Sequence, residues 1–222
     1  MNQLCQQAGW QFQDTMTLPM TSSDLDLLRL VMAGDEAAFT ALYRRRQAGV
    51  YRFALHMSGS QTIAEDVTQE VFIVLMREAG RYDSNRGSLA AYLYGIARNH
   101  VLRRIEQDRL LVQLADSAEE GDALTPASMI TEGGPLDDLT RNETVEAVRN
   151  SILALPPHYR EVIVLCDLHE MSYTEAASAV GCAVGTVRSR LHRARALLVE
   201  KLHAARDRNR ASEEANPARC FA

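Results

Sequence analysis

The sequence has no uninterrupted apolar run approaching the ~18 residues that a membrane-crossing helix requires, and it carries no secretory signal pattern at its start. A soluble chain of the cytoplasm is therefore expected, without stable membrane insertion. The four cysteines, Cys5, Cys166, Cys182 and Cys220, stand far apart and match no zinc spacing. They read as reduced thiols, with Cys182, between two helical patterns, the one placed to feel redox change. No nucleophile elbow, phosphate-binding glycine loop or metal triad is present, and the six histidines are scattered. The chain is accordingly read as a non-enzyme with no cofactor and no catalytic or metal-binding residues. Alternating apolar and polar residues, the mark of a half-buried strand, are also missing, so the expected fold class is all-α.

What is present is helical periodicity in two blocks. A hydrophobic content of 46% over 222 residues is ordinary for a globular protein. Residues 1–23 lack periodicity and contain Pro19, and are read as a flexible extension. From Asp24, apolar residues recur at three- and four-residue spacings: Leu27, Leu28 and Val31; Phe39, Leu42 and Tyr43; Val50, Phe53, Ala54 and Met57. Gly34 and Gly59 mark helix ends. The pattern returns in Ile63, Val67, Val71, Val74 and Leu75. After the turn-rich "YDSNRGS" it returns again in Leu89, Leu93, Ile96, Ala97, Val101 and Ile105. The first helical domain is thus placed at residues 24–106. A second, at 140–203, follows a linker at 107–139 that holds Gly121, Pro126, Gly133, Gly134 and Pro135. Within it "RNETVEAVRNSILAL" stops at Pro156–Pro157, and Pro157 suits the first turn of the next helix. Residues 204–222 read as a polar tail.

The net charge of −5 argues against a nucleic-acid partner only if it is evenly spread. It is not. Residues 107–140 hold eight acids (Asp108, Asp116, Glu119, Glu120, Asp122, Glu132, Asp137, Asp138) against one base, Arg109, a local −7 that leaves the remainder at +2. The bases are almost all arginine, since Lys201 is the only lysine.

Four of those arginines fall within eight residues of "YTEAASAVGCAVGTVRSRLHRARALL", at 188, 190, 193 and 195. Ala177 supplies the small packing residue, Gly181 the turn residue tolerant of positive φ, and Val187 the apolar anchor of a helix-turn-helix. Thr174 is the expected cap of the first helix, with Tyr173 packing before it. At about 100° per residue, Val184, Val187, Leu191, Ala194 and Leu198 form one stripe on the second helix. Ser189, His192 and Arg193 lie opposite, Arg188 and Arg195 flank one side, and Arg190 the other. A polar face of that width suits the major groove, where arginine can hold guanine or phosphate. A solvated, arginine-rich surface helix is the plainer alternative.

Two features of the first block remain. "AEDVTQEVF" sets Asp66, Gln69 and Glu70 in one helical turn, either a solvated face or a dock for a basic helix. "RYDSNRGS" and "AAYLYGIARN" bring Tyr92 and Tyr94 near Arg86, Arg98 and Asn99, with Arg103 and Arg104 one turn on. This mixture suits single-stranded DNA, although tyrosines at helical spacing also build cores.

Together "AEDVTQEVF", "GSLAAYLYGIARN" and "LPPHYREVIVLCDLHEMSYTEAASAVGCAVGTVRSRLHRAR" resemble a bacterial extracytoplasmic-function sigma factor, with sigma region 2 at about 24–106 and region 4 at about 140–203. The resemblance implies two small helical domains joined by a flexible acidic linker that suits a basic polymerase channel. It implies a subunit that binds core RNA polymerase and directs it to promoter DNA. It assigns Asp66, Gln69 and Glu70 to polymerase binding. It assigns Asn85, Arg86, Tyr92, Arg98 and Asn99 to the minus-10 element, with capture of a flipped base. It assigns Thr186, Arg188, Ser189, His192, Arg193 and Arg195 to the minus-35 element. An anti-sigma factor is a further partner it admits. Tyr92 departs from the tryptophan frequent at its place, and Arg103 from a common acid. A self-sufficient helix-turn-helix repressor is the competing reading.

Overall fold

The computed structural model describes residues 22–116 and 137–215, with side chains over 22–108 and 144–207. The termini and the acidic run at 117–136 lie outside the described residues. These are all helical or in turns, in the order α1 (Asp24–Met32), α2 (Glu36–Ser58), α3 (Gln61–Glu78), α4 (Leu89–Asp116), α5 (Asp137–Leu153), α6 (Pro157–Ile163), α7 (Tyr173–Val180) and α8 (Val184–Ala215). None of them is long and apolar enough to cross a membrane.

The helix ends follow from local chemistry. Ser23 and Asp26 form a capping box at α1, in which Ser23 Oγ accepts from the Asp26 N–H at 3.2 Å. Asp35 caps α2 through the Ala38 N–H, and Ser60 caps α3 through Ile63. Gly59 ends α2 in the left-handed region at φ 73°. A Cβ there would also come within 2.8 Å of Leu153 Cδ1, so that side chain would have to shift.

The first lobe packs α1, α3 and α4 around α2, burying Leu27, Leu42, Phe53, Met57, Leu75 and Leu93. Asp24 ties α1 to α2 by pairing with Arg45 and Arg46. In the second lobe α6 and α7 lie against α8, around Leu155, Ile163, Leu165 and Leu191. Pro157 starts α6 as expected, and the helix continues through one π-helical turn, Val164–Leu168.

The bounds of three elements differ from expectation. Helix α4 runs on to Asp116, because "QDRLLVQLAD" holds no glycine or proline and the breakers begin only at Gly121. Helix α5 begins at Asp137, and α8 extends into the expected tail as far as Ala215. The cap of α7 is Ser172, not Thr174. Ser172 Oγ accepts from the Glu175 N–H at 3.3 Å, and the Glu175 carboxylate accepts from the Ser172 N–H at 3.1 Å. This reciprocal box needs an acid three residues on, which Ser172 has and Thr174 lacks.

The two lobes also touch. Arg160 of α6 donates to the Met57 carbonyl at the end of α2, and to the Leu153 and Leu155 carbonyls. It thereby serves the unpaired carbonyls of two helix C-termini. Burial pushes its pKa down from the ordinary guanidinium value.

Candidate nucleic-acid interface

The helix-turn-helix forms as its composition requires. Ala177 is buried where α7 meets α8, and Gly181 turns the chain at φ 74°, where its N–H and that of Cys182 both donate to the Ala177 carbonyl. Val187, Leu191 and Ala194 are fully buried along α8, with Val184 and Leu198 half-buried at the stripe's edges. Ser189, His192 and Arg193 are exposed on the opposite side. Among the described residues nothing pairs with His192 or Arg193, so their donors are open.

The flanking arginines are held. Arg195 makes a bidentate pair with Asp167 (Nε–Oδ2 3.0 Å, Nη2–Oδ1 2.6 Å), which raises its pKa further. Arg188 lies over the exposed Tyr173 ring at 5.8 Å. Thr186 is half-buried, and its carbonyl accepts from Ser189 Oγ at 3.0 Å. Tyr173 is the first residue of α7 and is exposed, with the Arg188 guanidinium of the second helix over its ring.

The second candidate surface starts at the loop 82–88. The Tyr82 hydroxyl donates to the Gly87 carbonyl at 3.0 Å, and Asp83 accepts from Asn85 N–H and Nδ2. These bonds tie the loop to itself, with Asn85 and Arg86 exposed. Tyr92 is half-buried and meets Tyr82 edge-on, with ring centroids 5.5 Å apart. An open cleft of about 430 Å³ runs between Ser23, Asp24, Arg46 and the loop residues Tyr82, Ser84 and Ser88. Asn99 is exposed about two turns beyond Tyr92 along α4. Tyr94 is a seam residue: its ring packs on Phe53 and, at 4.9 Å, on His169 of the second lobe.

The face of α3 expected to dock a basic helix is open. Gln69 and Glu70 are exposed, while Asp66 is half-buried and pairs with Arg104 at 3.4 Å. Val67 and Val71 are buried beneath it.

Sequence reasoning passed over Glu161 and His169. Glu161 is 1% exposed and accepts from Arg98 Nε at 2.6 Å and Arg190 Nη1 at 3.1 Å. An acid flanked by "VIVL" was the available signal, since a buried carboxylate demands cationic partners. His169 Nδ1 lies 2.9 Å from the Tyr94 hydroxyl, and burial, with His56 and Arg52 near, lowers its pKa to about 4. His56 is pushed down in the same way, by burial and by Arg149 and Arg52. Cys166 and Cys182 are free and half-buried, and burial pushes the Cys166 thiol up to about 11. Cys5 and Cys220 lie outside the described residues. No cluster of potential metal ligands occurs among the described residues.

With that geometry in place, comparison with known proteins adds the following. Residues 42–110 match the sigma-70 region 2 model, and residues 146–198 match sigma-70, region 4. The chain is 32% identical over 177 residues to the ECF RNA polymerase sigma factor SigW of Bacillus subtilis, covering 79% of this chain and 94% of that one. It is 34% identical over 172 residues to ECF RNA polymerase sigma factor SigE of Mycolicibacterium smegmatis, covering 76% of this chain but only 64% of that longer one. Among solved structures, the sigma factor RpoE of Bartonella quintana, complexed with the anti-sigma factor NepR, superposes with a TM-score of 0.59 at 26% identity, over 74% of this chain and 96% of that one. CnrH, in complex with the cytosolic domain of CnrY, gives 0.60 at 26% identity, over 82% and 99%.

Proposed function

Since the chain belongs to the ECF family of RNA polymerase sigma factors, we propose that it binds core RNA polymerase and directs promoter-specific initiation through two unlike DNA surfaces. The minus-35 element is read as duplex by α8, with Ser189, His192 and Arg193 toward the bases and Thr186, Arg188 and Arg195 toward the backbone. The minus-10 element is read by the loop 82–88 and α4, through Asn85, Arg86, Tyr92, Arg98 and Asn99. Unstacking a base costs a few kcal/mol and is sustained only if a pocket receives it. The cleft between Arg46 and the loop supports that reading.

Asp66, Gln69 and Glu70 dock the polymerase. Partners are core polymerase and promoter DNA, with an anti-sigma factor a further candidate. One of the similar solved structures is a complex with an anti-sigma factor. The protein acts in transcription initiation in the cytoplasm and has no catalysis of its own.

The observation that carries this reading is the division of α8 into a buried stripe and an exposed Ser189/His192/Arg193 face. A gel shift with and without core enzyme tests it. Specific promoter retention is expected only with core present. Tight, specific binding by the free chain to a palindromic site contradicts it and favours a self-sufficient repressor.

A further inference from the structure

Both arginines that flank one side of the exposed face of α8 are anchored by residues outside that helix. Arg188 and Arg195 stand seven residues apart, about two turns, so they share a side of the helix and lie roughly 10 Å apart along its axis. Their anchors come from one short stretch at the entry to α7. Arg188 lies over the Tyr173 ring at 5.8 Å, and Asp167 grips Arg195 through Nε (3.0 Å) and Nη2 (2.6 Å). Asp167 belongs to the π-helical turn Val164–Leu168, where the His169 N–H donates to the Val164 carbonyl at 3.0 Å. A π turn takes up one residue more than an α turn and so redirects the side chains that follow. Here Val164 and Leu165 stay buried while Asp167 reaches the flank of α8.

We infer that Asp167 is a positioning residue of the minus-35 surface, which aims the guanidinium of Arg195 at a backbone phosphate. The inference rests on the minus-35 reading above.

A guanidinium carries five N–H groups in one fixed plane. The Asp167 carboxylate takes the Nε edge, one hydrogen from Nε and one from Nη2. The opposite fork is left over, with both hydrogens of Nη1 and the second of Nη2, and it matches the paired oxygens of a phosphate. Its plane is set before DNA arrives, so less side-chain freedom is lost on binding. Two effects oppose each other here. Orientation favours the phosphate, whereas the negative charge of the carboxylate disfavours it. The Arg195 and Asp167 side chains are 54% and 31% exposed, so water screens that charge and orientation prevails. The same exposure keeps the pair's contribution to folding small. The aim of Arg195 is its main consequence.

The test measures the affinity of the holoenzyme, core RNA polymerase with the full chain, for duplex fragments that the same holoenzyme selects from a random pool. Asp167→Ala removes the grip and the repulsive charge together, so the sign of its effect decides. Affinity is expected to fall about three- to tenfold on every selected fragment. The slope of log affinity against log salt should become shallower by up to about 0.9, one lost phosphate contact. Asp167→Asn, which keeps one acceptor for the guanidinium, should recover part of the loss. In the Arg195→Ala background, Asp167→Ala should change neither quantity. Higher or unchanged affinity in Asp167→Ala, or a slope that holds or steepens, overturns the inference, because the carboxylate then only neutralises Arg195 or supports the fold. An Asp167→Ala loss that persists without Arg195 overturns it as well. The underlying assignment is read from Arg195→Ala alone: fragments held as tightly without that arginine contradict its place on the DNA backbone, and the positioning role falls with it.

Discussion

His192 and Arg193 stand exposed on the open side of α8 with no partner among the described residues, whereas Arg195 is already spent on Asp167. That difference separates a base reader from a positioning group. Arg193→Ala is expected to cost about 1–3 kcal/mol at one position of the minus-35 element, read as relaxed selectivity in a randomised-promoter transcription assay. Arg195→Ala should instead weaken all promoters alike. His169 makes a second prediction at this scale. The Tyr94 hydroxyl, its pKa raised by burial, shares a 2.9 Å hydrogen bond with Nδ1 of His169. Protonation there would place a cation beside Arg52 and His56 on α2, with Arg149 of α5 beside His56. Burial, with His56 and Arg52 near, lowers the histidine's pKa from 6.5 to about 4, so the unfolded chain binds more protons in that interval. The folded form is therefore fully favoured above 6.5 and weakens as pH falls toward 4. The melting temperature should fall on acidification through that interval, and His169→Gln, which keeps an acceptor without the charge, should flatten that dependence.

At the scale of elements, the capping box on α7 fixes where the first helix of the helix-turn-helix begins. Ser172→Ala is expected to cost about 1 kcal/mol of second-lobe stability, seen as a lower melting temperature, and Thr174→Ala far less. The sequence pattern located nearly every helix, because apolar spacing and the glycines at 59 and 181 are local properties. It misassigned the cap by two residues, since Thr174 and Ser172 are both plausible hydroxyls and only the acid at Glu175 decides between them. It also ended α4 too early, because acid content looked like a linker where no helix breaker stands. The face of α3 was legible as acidic and amide, yet its pairing of Asp66 with Arg104 joins residues 38 apart and is set by packing alone.

The whole molecule is where sequence reading stopped. Arg98 and Arg190 meet Glu161 across separations of 63 and 29 residues, and nothing local to "HYREVIVL" names either partner. The division into two helical lobes was visible in the motifs, while their direct contact was not. A salt titration tests the division. Each arginine that holds phosphate contributes about −0.9 to the slope of log affinity against log salt on duplex DNA, so removing Arg188 should reduce the slope by about one without changing promoter choice. The central claim is that this chain supplies promoter specificity to a polymerase that lacks it. Run-off transcription from a genomic promoter pool, with core RNA polymerase and the chain added or withheld, measures this directly. Defined transcripts that appear only with the chain present, and that change with Arg193→Ala, are the expected result. Transcription unaffected by the chain, or repressed by it in the absence of any new start site, would contradict the account.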